Sequence, residues 1–339
     1  MTKPVLVSGI KPEGHLHLGN FLGSLKNFVD LQDSGKYDCY FFIADLHSLT
    51  EDFNHKEKPG QVLELTAEYL AAGLDPKKST IFLQSSIPAH AELMWLLTVI
   101  TPEGELRRMT QYKDKSIVNK QNVNSGLLMY PVLMAADIIL YDAKFVPVGD
   151  DQLQHLELTR ALVRRFNKRF GKTFVEPQPL LTRAPRVMSL KNPEKKMSKS
   201  QPDSCLFLDD SPEEIRVKVM RATTDSGSEI KYDPHHKKGV SNMLTIYSEL
   251  SGEPVAKLEK KFAGKNYSAF KSALAELITK HFADYRKEKK ELMASAKGGS
   301  ASGGKSYKLK AILDSGSAKA AKIANKKITE VKKRVGLAL

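Results

Sequence analysis

Cysteine is scarce in this chain, with Cys39 and Cys205 the two among 339 residues. Two thiols cannot build a metal cage, and Cys39, set in the aromatic run Tyr37 to Ala44, reads as a buried thiol of a reduced, cytoplasmic protein. Long apolar runs are missing too. The most apolar stretch, Gly126 to Tyr141, is too short for a membrane span and is interrupted by Pro131 and Asp137, so a core helix is expected there. No charged segment followed by a long apolar run opens the chain, because Lys11 and Glu13 follow the first apolar residues at once. No signal or transit peptide is therefore expected, and residues 1–339 read as the mature protein. Internal repeats are absent. What is present, 41% hydrophobic and 27% charged residues, is an ordinary soluble composition long enough for a large core and two domains.

Charge is unevenly spread. Residues 1–254 hold 32 basic and 32 acidic residues, so the whole net charge of +14 falls in residues 255–339. A single lysine run is usually a solvated helix face. A balanced body joined to a strongly basic tail is the electrostatic footprint of a domain that meets polyphosphate.

Pro4-Val5-Leu6-Val7 reads as a buried strand, and Leu18, Phe21, Leu22, Leu25, Phe28 and Val29 fall on one face of a following helix. Between them lies Ser8-Gly9-Ile10-Lys11-Pro12-Glu13-Gly14-His15-Leu16-His17-Leu18-Gly19-Asn20. A glycine-rich turn before a helix is either a tight connection or an anion site, where unpaired N–H groups and the helix dipole meet a phosphate. His15 and His17 add two donors beside it. Tyr37 to Ala44, ending at Asp45-Leu46-His47, and Ser79 to Gln84 read as further strands, with a helix from about Pro59 to Gly73 between them. Three such βα repeats imply a parallel sheet with ligands at the carboxyl ends of its strands, where Gly9 and His47 fall.

Residues 88–122 are expected to be helical. In the apolar helix that follows, Tyr130, Met134, Asp137 and Tyr141 share one face. A carboxylate in such surroundings needs a donor, either a structural partner or a ligand. Val146-Pro147-Val148-Gly149-Asp150-Asp151-Gln152 runs from strand into a helix that extends to about Phe170, and its paired acids are either helix-start partners or site residues. Lys195-Lys196-Met197-Ser198-Lys199-Ser200, bracketed by Asn192-Pro193 and Gln201-Pro202, is a loop. Ser211-Pro212-Glu213-Glu214 opens a mainly helical region with a capping box, and its last helix, from Ala318 to about Val335, stops at Gly336. Residues 297–305 read as a flexible linker, and His235 and His236 as part of an exposed turn.

The segment ending His17-Leu18-Gly19-Asn20 resembles the first signature of class I aminoacyl-tRNA synthetases, and its Ser-Gly-Ile-x-Pro-x-Gly lead-in is similar to the tryptophanyl branch. Lys196-Met197-Ser198-Lys199-Ser200 reproduces the second signature without substitution. The resemblance spans nearly the whole chain. It implies an α/β fold, with a Rossmann-like catalytic domain over residues 1–200 and a basic, all-helical anticodon-binding domain over 201–339. The activity implied is tryptophan–tRNA ligase. Catalysis would fall to His17, Lys196, Ser198 and Lys199, with Lys196 and Lys199 acting as a mobile clamp on leaving pyrophosphate.

For ATP the resemblance implies Gly9, Ile10, Lys11, Pro12, Glu13, Gly19, Asn20, Gly149, Asp150, Asp151, Val187, Lys196, Met197, Ser198, Lys199 and Ser200. For tryptophan it implies Asp137 as acceptor of the indole N–H, with Tyr130, Met134, Gln152, His47, Val146 and Val148. Partners implied are tRNA, tryptophan, ATP with Mg²⁺, and a second copy of the chain, with no membrane, DNA or protein-bound metal. Two departures stand out: Asp150 takes the place of a family Glu, and Lys11 that of a common Gln. Three other readings share parts of the pattern. A tyrosyl enzyme shares the fold and both signatures, but a phenol pocket calls for a second polar group where Met134 stands. A non-catalytic RNA-binding paralogue would have lost His17, Asp137 and the lysine loop. A small nucleotidyltransferase would not need the basic tail.

Overall fold

The computed structural model describes residues 3–118, 123–181, 185–294 and 306–337. The glycine-rich residues 297–305 lie outside the described residues. Contacts divide the chain into two units. The first comprises Met1–Gly14, Phe28–Thr182 and Met293–Leu339, and the second His15–Asn27 and Arg183–Leu292. The division at residue 182 differs from the expected break at 200, and the last helix groups with the sheet rather than with the other C-terminal helices.

The elements in chain order are β1 (Val5–Ile10), α1 (Leu18–Asn20), a π-helical stretch (Phe21–Leu25), α2 (Lys26–Asp33), β2 (Asp38–Ile43), α3 (Lys58–Ala71), β3 (Ser79–Leu83), α4 (Ala89–Thr98), α5 (Glu103–Arg107), α6 (Thr110–Val118), α7 (Ser125–Ile139), β4 (Phe145–Val148), α8 (Leu153–Phe170) and β5 (Gln178–Leu181). The helices α9 (Pro212–Met220), α10 (Lys238–Ser251), α11 (Val255–Lys261), α12 (Tyr267–His281), α13 (Ala283–Ala294) and α14 (Ser306–Arg334) follow.

The first unit is built on the expected parallel sheet, of strand order β3-β2-β1-β4-β5. Cys39, Phe41 and Ile43 of β2 alternate with Tyr40 and Phe42, and all five are buried, because helices cover both faces of the sheet. On one face Phe28 stacks on Phe41 with centroids 4.5 Å apart, beside Tyr69 of α3. On the other face Val7, Tyr40, Phe42 and Phe82 join one core with residues of α4, α7, α8 and α14. Burial pushes the Cys39 thiol up to about 11 and that of Cys205 to about 12, as expected of thiols that pack rather than react.

Topology positions the site. The chain steps outward from β1 to β2 to β3 and then returns through α4–α7 to place β4 on the other side of β1. The order therefore reverses between β1 and β4, and their carboxyl ends, Ile10 and Val148, flank the crevice where such sheets bind ligands.

In the last helix Ala320, Ala324, Ile328 and Val331 face the core, and Gly336 ends the helix region at φ +82, as expected. Helix α14 starts earlier than expected, at Ser306, and its first half runs along β3. There Ser317 Oγ accepts a hydrogen bond from the Leu83 N–H at 3.3 Å. A Cβ on Gly316 would lie 1.8 Å from the Ile81 carbonyl oxygen, so only glycine permits this approach.

The second unit is mainly helical. The expected capping box is present: Ser211 Oγ accepts from Glu214 N–H while the Glu214 carboxylate accepts from Ser211 N–H. Lys271, buried on α12, donates to the carbonyls of Met220 and Ala222 at the end of α9. In the same unit Lys289 is buried against Asp209, and in the first unit Lys327 is buried against Asp142 and the Thr173 carbonyl, so part of the basic excess is structural. Among the described residues no helix is long and apolar enough to cross a membrane.

Gly316→Ala is expected to destabilise the protein by about 1–3 kcal/mol, steric displacement of α14 outweighing the roughly 1 kcal/mol gained in helix propensity. Urea unfolding beside the exposed-site control Ser315→Ala checks this, and a stabilised Gly316→Ala protein would refute it.

Candidate active site

In the first unit the expected residues gather at the strand ends. Tyr69, fully buried on α3, accepts from Ile10 N–H at 3.0 Å and donates to the Phe42 carbonyl, which pins the end of β1. Gly9 is glycine because a Cβ there would meet the Phe42 ring at 2.7 Å. Pro12 is buried and Glu13 exposed. Lys11 forms ion pairs with Glu13 and, at 3.0 Å, with Glu51. Burial disfavours the Lys11 charge, but the two carboxylates more than compensate and hold its pKa above the usual lysine value.

Asp137 is the centre of this unit's polar residues. Its side chain is 1% exposed, and three side chains meet its two oxygens. His47 Nε2 lies 2.7 Å from Oδ2, while Oδ1 receives Gln84 Nε2 at 2.8 Å and His90 Nδ1 at 2.6 Å. Burial alone would raise the Asp137 pKa. The His47 charge and the hydrogen bonds of His47 and His90 outweigh it and hold the carboxyl at about 2, ionised at neutral pH.

Gln84 cannot turn away, since its Oε1 accepts from Leu46 N–H at 3.1 Å. On the shared face of α7, Tyr130 donates to Gln111 Oε1 at 3.1 Å and meets His155 Nε2 at 2.9 Å. Its ring lies edge-on to His47, and burial pushes its hydroxyl up to about 12, so it stays a neutral hydrogen-bonding group. Met134 packs against the apolar core to which Val146 and Val148 belong. Beyond β4, Asp150–Gln152 form a 3-10 turn, in which Gln152 Nε2 donates to Asp151 Oδ2 at 2.8 Å. Among the described residues no side-chain hydrogen bond caps α8; the side chain of Asp150 lies outside the described residues.

In the second unit the first signature departs from expectation. The α-helical start is three residues long and passes into a π-helical stretch. Its amides are occupied: Leu18 N–H donates to the Leu206 carbonyl, and Gly19 and Asn20 N–H both donate to His17 Nδ1, at 3.0 and 3.3 Å. The free N–H groups expected to meet a phosphate are thus taken by His17 itself, and Asn20 Oδ1 returns the cap by accepting from His17 N–H at 3.2 Å. This sets the chemistry of His17. With Nδ1 an acceptor, the neutral ring carries its proton on Nε2 and presents a donor. Burial, with the Lys199 charge adding to it, lowers the His17 pKa to about 4 and keeps the ring neutral. His15 is held differently, 2.7 Å from Asp209, which Lys289 also reaches at 2.8 Å.

The lysine motif is a loop, as expected. Met197 N–H donates to the Val187 carbonyl and Ser189 N–H to the Lys195 carbonyl, so residues 187–189 and 195–197 pair across the turn at Asn192-Pro193. Asn242 of α10 clamps this hairpin, accepting from Met188 N–H at 2.9 Å and donating to the Met188 carbonyl at 3.0 Å. Met197 is buried while Lys196, Ser198 and Ser200 are exposed and Lys199 half-buried, and the Ser198 and Ser200 hydroxyls lie 2.9 Å apart. Val187 packs near Gly19, where a Cβ would also meet the His17 ring at 2.9 Å.

A family model described as tRNA synthetases class I (W and Y) matches residues 2–283. The chain belongs to this family. Among its similar members, the tryptophan–tRNA ligase of Caldanaerobacter subterraneus subsp. tengcongensis is 46% identical over 335 residues, 98% of each chain. That of Listeria monocytogenes is also 46% identical, covering 99% of this chain and 98% of its own. A solved tryptophanyl-tRNA synthetase of Mycoplasma pneumoniae superposes with a TM-score of 0.86 at 35% identity over 99% of both chains. Another, from Campylobacter jejuni in complex with ADP and tryptophan, gives 0.81 at 33% identity over 98% of this chain and 99% of its own.

For this class I synthetase, sequence reasoning missed Gln84, His90 and His155. Two signals were available: Gln84 stands at the carboxyl end of a parallel strand, and His90 is a polar group at the start of an apolar helix.

The lowered pKa of His17 fixes a sign. An unfolded histidine takes up a proton near pH 6.5 while folded His17 refuses it until about pH 4, so this contribution is complete above 6.5 and is lost as pH falls toward 4. His17→Asn, which retains an N-cap oxygen, is expected to remove up to about 3 kcal/mol of that pH dependence, measured by urea unfolding between pH 4 and 7.5. An unchanged pH slope would refute it.

Proposed function

We infer that this synthetase is a tryptophan–tRNA ligase, and the observation that carries the reading is the ionised, buried Asp137 at the strand ends. Indole offers one donor and no acceptor, and an acceptor-only carboxylate beside Met134 suits it. In the first step the tryptophan carboxylate attacks the α-phosphate of ATP and releases pyrophosphate. In the second the adenylate passes its acyl group to the terminal ribose of tRNA.

The first step needs no nucleophilic side chain; it needs position and charge stabilisation. The Nε2–H of His17 supplies a neutral donor to a phosphoryl oxygen, and Lys196 and Lys199 supply countercharge to pyrophosphate. Ser198 and Ser200 add hydroxyls. The residues assigned to ATP by the signatures are retained here, with Lys11 given a lesser part because Glu13 and Glu51 already hold its charge. Asp150, Asp151 and Gln152 remain assigned to ATP ribose and the amino acid. Mg²⁺ enters with ATP. Glu13 and Glu51 pair with Lys11, and Asp137 is engaged by two histidines and Gln84, so these carboxylates form no cage, and phosphate oxygens and water suit the ion better.

The tRNA partner is assigned to the basic residues of 255–339, with phosphates supplying affinity and unstacked anticodon bases specificity. Lys308, Lys319, Lys322, Lys326 and Lys333 are exposed along α14. A homodimer is proposed as well, supported by Trp95 and Val99 on and just after α4, which are 67% and 65% exposed in the isolated chain.

Amino-acid-dependent exchange of pyrophosphate with ATP, run with each of the twenty amino acids, is expected to respond to tryptophan alone. A response to tyrosine instead, or none, would overturn the reading. Asp137→Asn is expected to raise the KM for tryptophan about 10- to 100-fold with the KM for ATP within about twofold. Equal effects on both would make Asp137 structural.

Trp95 is also the chain's single tryptophan, so its own fluorescence should blue-shift on association. Trp95→Glu is expected to move the sedimentation profile from dimer to monomer, and a wild-type monomer at micromolar concentration would refute the dimer.

A further inference from the structure

We propose that His90 is a positioning residue for the amino-acid substrate, fixing Asp137 from behind so that only Oδ2 is offered to the indole; this rests on the tryptophan reading above.

The proposal follows from counting donors. A carboxylate has about four acceptor positions, two on each oxygen. Oδ1 receives both Gln84 Nε2 and His90 Nδ1, which fills it, whereas among the described residues Oδ2 receives His47 Nε2 alone. One acceptor position therefore remains, on the oxygen shared with His47. Of the three donors, His47 is the most exposed, at 12%, while Gln84 and His90 are fully buried. The two buried donors approach Oδ1 from the turn after β3 and from α4, and the third approaches Oδ2 from the turn after β2.

His90 is itself oriented by a third group. Its Nε2 lies 2.8 Å from the Tyr141 hydroxyl, and burial together with the Asp137 charge keeps that phenol protonated. An ionised carboxylate only accepts, so His90 Nδ1 must carry a proton, which leaves Nε2 to face the Tyr141 hydroxyl. The chain runs from the Tyr141 hydroxyl to His90 Nε2, then from His90 Nδ1–H to Asp137 Oδ1. Such a third group, fixing the tautomer and plane of a histidine that in turn orients a ligand-binding carboxylate, is a recurring arrangement in binding sites. The ring cannot swing to another partner, because Phe42 and Phe82 stand on it with centroids 6.2 Å away and Tyr141 at 5.6 Å.

The test exploits two amides that each imitate half of the imidazole. Asn at position 90 places an N–H where Nδ1 was and keeps the bond to Asp137, whereas Gln reaches the Nε2 position and keeps only the partner of Tyr141. In tryptophan-dependent pyrophosphate exchange with the full chain, His90→Gln is expected to raise the KM for tryptophan about 10- to 100-fold, with the KM for ATP within about twofold, and His90→Asn to stay within about threefold for both. Equal rises for the two variants, no rise for His90→Gln, or a matching rise in the KM for ATP would overturn the proposal.

Tyr141→Phe keeps ring packing and removes only the hydroxyl. It should raise the KM for tryptophan without moving that for ATP, and an unmoved KM for tryptophan would count against the chain of bonds even where a His90 variant fails to fold. Wild-type protein without tryptophan-dependent exchange would instead sink the function on which the proposal rests, an outcome distinct from any variant result.

Discussion

The structure around the strand ends depends on one buried charge. An ionised carboxylate taken from water costs several kcal/mol unless donors replace its hydration. Asp137 obtains three, and they come from different parts of the chain: His47 after β2, Gln84 after β3 and His90 in α4. The same bonds that keep Asp137 ionised therefore tie α7 to two strand ends and to a second helix. A site assembled in this way is rigid because it is charged. Loosening any one partner leaves a buried polar group unsatisfied, which holds the carboxylate in one place.

The second unit solves a different problem with histidine. There a π-helical turn and a three-residue α-turn replace the long helix start that would cradle a phosphate on bare amides. His17 consumes those amides with Nδ1 and presents Nε2–H in their stead, so the donor offered is one side chain at one position rather than the positive end of a helix. Its neutrality follows from burial and from Lys199, which means the positive charge near the signatures resides on lysines and not on the imidazole. The hairpin that carries those lysines is anchored at Met188 by Asn242, while the hydroxyls and Lys196 remain exposed.

Much of this was legible in the sequence. Alternating strand and helix patterns, the loop character of Lys195–Ser200, the apolar helix α7 and the Gly336 stop of the last helix all follow from local periodicity and turn chemistry, and all are present. Local pattern stops where pairing spans long separations. His90 lies 47 residues from Asp137, and nothing within the run from Ser86 to Leu93 says which carboxylate will face it. Lys11 shows the same limit from the other side: the resemblance assigns it to ATP, and no local pattern announces the ion pairs with Glu13 and Glu51 that the fold also gives it. The helix-start amides were misjudged for a simpler reason, since a histidine can serve as its own cap and the residue type alone does not announce it.

The approach of Gly316 to Ile81 also bears on the order in which the protein can be completed. Strand β3 is the edge of the sheet, and an uncovered edge is a template for pairing with another chain. Its cover, α14, is made more than 200 residues after the strand it protects. A ribosome releasing this chain therefore exposes a sheet whose β3 edge stays open until residues 306–334 emerge, and truncation between the lysine loop and residue 306 leaves a protein that retains the first signature, the strand ends and the lysine loop yet carries an adhesive edge.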